Sequence, residues 1–117
     1  MAKFLFIFRS DNDAHYKMTP EEMQQNHQKW VAWFAEGMKK GWIVDVGDGL
    51  QAAGRVVNAK QVVTDGPFVE SKEVVGGFTI VQADTIDTAA EFAKGSPCLD
   101  VGGTVEVRPL WGFSMNN

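Results

Sequence analysis

FLFIF, residues 4–8, is an unbroken apolar run set between Lys3 and the polar segment Arg9-Ser10-Asp11-Asn12-Asp13. Its shortness and aromatic content predict a strand, and the lack of polar alternation means that both faces of that strand need cover. Residues 19–40 supply one cover. Thr19 is a capping residue, Pro20 takes the first helical position where no N–H is required, and Glu22 stands three residues on as the other half of a capping box. The predicted helix closes with Lys39 and Lys40, whose charges oppose the negative end of its dipole, and with Gly41 in the left-handed position beyond the last turn. Met23, His27, Trp30, Val31, Phe34 and Met38 fall at helical spacing and are read as its apolar face.

Residues 42–46 predict a second strand, ended by a Gly47-Asp48-Gly49 bend. Val56, Val57, Val62 and Val63 about Asn58-Ala59-Lys60 predict a hairpin over residues 54–63. Residues 77–83 form a strand with Phe78 and Ile80 on one face and Thr79 and Val81 on the other. Asp84 or Thr85 caps a short helix that Gly95 and Pro97 stop, and residues 104–108 alternate as the last strand. The order is ferredoxin-like βαββαβ with an extra hairpin, an α+β fold with an antiparallel sheet. Two helices cover only one face of such a sheet. Leaving two or three large apolar residues of the first strand exposed forgoes about 1.5–3 kcal/mol each, so a second copy is expected to pack sheet on sheet, as a two-fold homodimer with a barrel-like interior. The alternative cover is the C-terminal PLWGFSMNN, residues 109–117, folding back with Leu110, Trp111 and Phe113.

The chain has 117 residues, 44% hydrophobic and 22% charged, which fits a single globular domain over residues 1–117. A net charge of −4 with scattered Lys and Arg speaks against nucleic acid as a partner. Cys98 is the only cysteine and cannot form an internal disulfide, and the first residues lack the apolar length of a signal peptide or a membrane span. A cytoplasmic location away from the membrane is the expectation.

VTDGPFVESKE, residues 63–73, resembles the signature of the YCII-related family, whose central run reads DGPF followed by KE. Trp30, Trp33, Gly41, Gly49-Leu50, Gly77-Phe78 and Val105-Glu106-Val107-Arg108-Pro109 extend the resemblance over nearly the whole chain. It implies a ferredoxin-like fold, a dimeric α+β barrel, and a cleft with a proposed acid–base role but no generally established substrate. For some members it also implies an association with extracytoplasmic-function sigma factors. Two departures stand out. Asn58-Ala59-Lys60 replaces an Asp-Gly-like hairpin turn, and the family's helix histidine, matched from the exit glycine, falls nearer Trp30 than His27.

Asp65 is the first catalytic candidate. Pro67 fixes its own φ and biases Gly66 toward extended backbone, so the carboxylate is held by a stiff turn. Either it is positioned for proton transfer, in a concave pocket, or it binds the N–H groups of its own turn and stays exposed. His27 is the second, as a general base or as a core histidine satisfied by one hydrogen bond. Trp30 and Phe68 are aromatic candidates for ligand binding; Glu106 and Arg108, pointing outward from the last strand, are candidates to line a dimer cavity. Glu70, Lys72 and Glu73 read as surface charge and His15 as a solvated loop residue or a cover for a cleft mouth. Three patterns carry no site. Residues 47–52 mimic a dinucleotide loop but lead into a valine-rich strand, residues 11–22 mimic a calcium loop with Tyr16 where Gly is needed, and Cys98 lacks the basic surroundings of a nucleophile. The expected activity is acid–base chemistry on a small organic molecule, with neither cofactor nor metal; the alternative is a non-catalytic accessory or regulatory module.

Overall fold

The computed structural model describes residues 1–11, 17–66 and 73–113. Strand β1 (Ala2–Asp11) leads into helix α1 (Pro20–Lys40) and strand β2 (Ile43–Gly49), followed by a hairpin of β3 (Gly54–Val57) and β4 (Val63–Gly66). Strand β5 (Glu73–Ala83), helix α2 (Ile86–Ala93), a 3-10 turn (Pro97–Val101) and strand β6 (Thr104–Pro109) complete the chain. The main sheet has the order β2-β5-β1-β6 with every neighbouring pair antiparallel, and the hairpin is a separate two-stranded sheet. β1 and β2 therefore run parallel on either side of β5, bridged by α1, which is the split βαβ of a ferredoxin-like fold.

The helix signals hold at both ends. Thr19 Oγ1 accepts the Glu22 N–H at 3.1 Å, the Thr19 N–H donates to Glu22 Oε1 at 3.3 Å, and Gly41 stands at φ 84° beyond the last turn. The buried face of α1 differs from the expected stripe. Trp33 and Gly37 are the buried residues, with Trp30 and Phe34 packed beside them, while Met23, His27, Val31 and Met38 are exposed. The spacing allows either register, and the indole of Trp33 settles it by filling the centre of the core. Its ring lies 6.2 Å from Phe6, 6.1 Å from Phe8 and 5.4 Å from Trp42, and its Nε1–H donates to the Phe92 carbonyl at 3.3 Å. Trp42 in turn stacks on Phe92 at 4.5 Å, so one aromatic column ties β1, both helices and the start of β2 together.

Phe4, Phe6 and Phe8 are 3%, 0% and 7% exposed, and all three are covered by their own chain. The uncovered face of β1 is the other one, carrying Leu5 and Ile7, which are half-buried with Ile80 of β5 opposite Leu5. The smallest extent of the chain is 21 Å, the thickness of one helix layer on one sheet. As far as residue 113, the last one described, the C-terminal segment does not fold back over this face. The Leu110 N–H donates to the Lys3 carbonyl at 3.0 Å, and Trp111 and Phe113 beyond it are each 89% exposed.

β2 continues through the expected bend as far as Gly49, with its register broken between Asp45 and Asp48 where Gly47 takes φ 68°. β5 begins four residues ahead of the expected strand, at Glu73 rather than Gly77. The hairpin turns at Asn58, whose Oδ1 accepts the N–H groups of Lys60 and Val62 at 2.9 and 3.0 Å, with Gln61 in the left-handed region at φ 66°. That fixes Val57 opposite Val63 and Arg55 opposite Asp65.

Candidate functional site

Two strands with little side chain and one helix with much of it leave a hollow between them. β2 brings Gly47 and Gly49, and β5 brings Gly76 and Gly77, to the end of the sheet that the first half of α1 crosses. A Cβ on Gly47 would strike the Phe78 carbonyl oxygen, and one on Gly77 would meet the Asp48 carbonyl oxygen at 2.8 Å, so the strands can approach this closely only because both residues are glycine. Above them lies a cavity of about 570 Å³. Phe8, Trp30, Phe34 and Val46 form its apolar walls, and Ser10, Asn26, His27 and Asp48 are its polar lining. The ring of Phe8 meets Trp30 edge-on at 4.9 Å and Trp30 lies 5.5 Å from Phe34, a rigid aromatic wall.

The polar groups are few and their chemistry is specific. His27 is exposed at the lining, on the helix turn before Trp30. Asp48 has one oxygen engaged with the Gly49 N–H at 2.7 Å, leaving the other available. Asn26 donates through its side chain to the Pro97 carbonyl at 3.4 Å, which fixes its orientation. Among the described residues no Lys or Arg lines this cavity. A second hollow of about 440 Å³ beside it is lined by Asp11, Lys17, Glu22, Lys29 and Asp100. Its ion pairs, Lys17 with Asp11 at 3.4 Å and Lys29 with Asp100 at 3.1 Å, join side chains that are each about half exposed or more, as on solvated surface. Among the described residues no three His, Cys, Asp or Glu side chains gather as metal donors.

The expected site residues fall in three places. His27 and Trp30 meet in the aromatic cavity. Asp65 is on β4 of the separate hairpin, its side chain 94% exposed with Arg55 Nη1 at 3.3 Å, outside the residues that line the cavity. Glu106 and Arg108 are on the uncovered sheet face. There Glu106 accepts from Arg108 at 3.0 Å and from Arg9 at 3.3 Å, and hydrogen bonding from Arg108, seconded by Arg9, holds its carboxyl below the ordinary range. Phe68, with Pro67, Glu70, Lys72 and His15, lies outside the described residues. Sequence reading missed Phe8, Phe34, Asn26 and Asp48 as cavity residues. The paired glycines of residues 47–49 and 76–77 were the available signal, once β2 and β5 are known to be neighbours.

The YCII-related domain matches residues 3–114, almost the whole chain. The chain belongs to the YCII-related family. Among curated proteins, this YCII-related chain is 42% identical over 50 residues to the uncharacterized protein R00369 of Rhizobium meliloti (strain 1021). That match covers 42% of the chain and 40% of the relative, so the chain spans about two-fifths of the curated protein it matches. Among solved structures it is similar to 5-chloro-2-hydroxyhydroquinone dehydrochlorinase from Burkholderia phenoliruptrix AC1100, solved in complex with 2,5-dihydroxybenzoquinone. The identity is 22% and the TM-score 0.41, with 97% of this chain and 98% of that one covered. Among the described residues of the YCII-related chain no helix is long and apolar enough to cross a membrane.

Proposed function

We propose that the cavity between α1 and the glycine-bearing ends of β2 and β5 binds a small, uncharged, largely aromatic organic molecule, and that the chain works as a homodimer. The observation that carries the ligand class is the lining by the described residues: aromatic walls, a few polar side chains and, among those residues, no Lys or Arg. A carboxylate or phosphate would lose its hydration there without gaining a cation, whereas a planar ring gains apolar burial and can place a hydroxyl against Asn26, His27 or Asp48. His27 is the group for proton transfer, because imidazole takes and gives protons near neutral pH and this one stands at the ligand's edge with solvent behind it. Such chemistry draws on no cofactor. The dimer reading rests on the sheet face that no second layer of the described residues covers.

The test is binding of phenol and benzoate followed by the NMR signals of the Trp30 indole and the His27 ring. Phenol at millimolar concentration should move both signals, benzoate much less, and Trp30→Ala should weaken phenol binding about tenfold through loss of one wall. Unmoved signals with phenol, or equal binding of the anion, would overturn the assignment.

A further inference from the structure

The β3–β4 hairpin is secondary structure without a support. Its strands pair with each other, and among the described residues no other element packs substantially against them. A two-stranded hairpin is at best marginally stable by itself in water. This one nonetheless shows Val57, Val62 and Val63 at 64%, 51% and 58% exposure. Cross-strand pairing puts Val57 with Val63 and, on the same face, Arg55 with Asp65, so one side of the hairpin carries an apolar pair toward the tip and an acid–base pair toward the root. The hairpin leaves the main sheet from β2, one edge strand; β6 is the edge strand on the far side.

We propose that this hairpin is an intersubunit arm, laid along the β6 edge of a second copy so that Val57 and Val63 pack beside Leu5 and Asp65 meets Arg108 of that copy. The proposal rests on the dimer argued above. Area supports it. Four strands about 4.8 Å apart, over six paired residues of about 3.4 Å, make a face of roughly 400 Å², half of the roughly 800 Å² per partner that a stable interface buries. Reciprocal arms add their own faces and the surfaces they cover. Symmetry supports it too: a two-fold axis along the strands, between apposed sheets, sets the β2 edge of one chain over the β6 edge of the other. The charges and apolar groups then match. Leu5 and Arg108 are cross-strand partners on the uncovered face, an apolar group beside a cation. Asp65, still 94% exposed with Arg55 at 3.3 Å, has room for that second cation.

Sedimentation equilibrium of the full chain separates the outcomes. Val57→Asp with Val63→Asp, Asp65→Arg and Arg108→Asp should each raise the dimer's dissociation constant about tenfold or more, as loss of apolar burial or of a close charge pair does. The double reversal, Asp65→Arg with Arg108→Asp, should recover most of the loss, which a variant that merely misfolds cannot do. If the wild type is a dimer and these variants dimerise equally well, the arm is refuted and the dimer stands; if the wild type is a single chain at high micromolar concentration, both fall.

Discussion

Glu106 shows how little a single charged residue reveals before its neighbours are known. In sequence it is an outward residue of an alternating strand; in the fold it lies between two guanidinium groups, Arg9 from β1 and Arg108 from its own strand. Its carboxyl ionises more readily than an ordinary one near 4.5, chiefly through the Arg108 hydrogen bond. A carboxylate whose folded value is depressed contributes stability above its unfolded value, and that contribution is lost as the pH falls through the folded one. The side chain is 36% exposed, so solvent screens the effect and keeps it small. The expected result is a urea midpoint that falls more steeply in the wild type than in Glu106→Gln as the pH drops below the ordinary carboxylate range. Equal slopes would mean that neither arginine stabilises the carboxylate. His27 shows the reverse case: its helical position was legible, but its surroundings were not, because an apolar residue every third or fourth position fits two neighbouring faces of α1. The volume of the Trp33 indole chooses between them.

At the scale of elements, the sequence was most informative where structure is local. The capping box, the glycine after α1, the Thr85 cap of α2 and the alternation of β6 each depend on residues within a turn of one another, and each is present where residue chemistry put it. Thr19→Ala removes the acceptor for the Glu22 N–H at 3.1 Å and should cost about 1 kcal/mol. A lowered urea midpoint with an unchanged slope would bear this out, and Thr19→Ser should restore most of it. Legibility fell where an element depends on a distant partner. β2 runs through its glycine bend because β5 holds it there, with the break in register absorbed at Gly47. β5 starts at Glu73, ahead of its predicted place, because residues 9–11 of β1 offer pairing partners. The cavity has the same origin, since its glycines are nearly thirty residues apart along the chain and meet only once β2 and β5 are side by side.

The whole molecule poses the question of the second face. A 21 Å slab of one helix layer on one sheet places Phe4, Phe6 and Phe8 in the dry interior and leaves Leu5, Ile7 and Ile80 to water or to another chain. Apolar strand residues that their own chain covers only halfway are weak evidence of a partner taken one at a time; ranged together on one face they are stronger, because their burial would be simultaneous. Ile7 is the informative position: it stands in register with Glu106 on β6, with Leu5 two residues along the same face. Ile7→Glu would set a second carboxylate beside Glu106 on a surface that still has Arg9 and Arg108 to offset it, so an isolated chain should tolerate the change with little loss of fold. Between two apposed copies the same change buries two new carboxylates near the symmetry axis, and Arg9 and Arg108, already shared with Glu106, do not offset the desolvation of both. Sedimentation should therefore show Ile7→Glu as a single chain with the helical circular dichroism of the wild type. A variant that stays dimeric would place the interface on another surface, and one that unfolds would show this face to be part of the chain's own core.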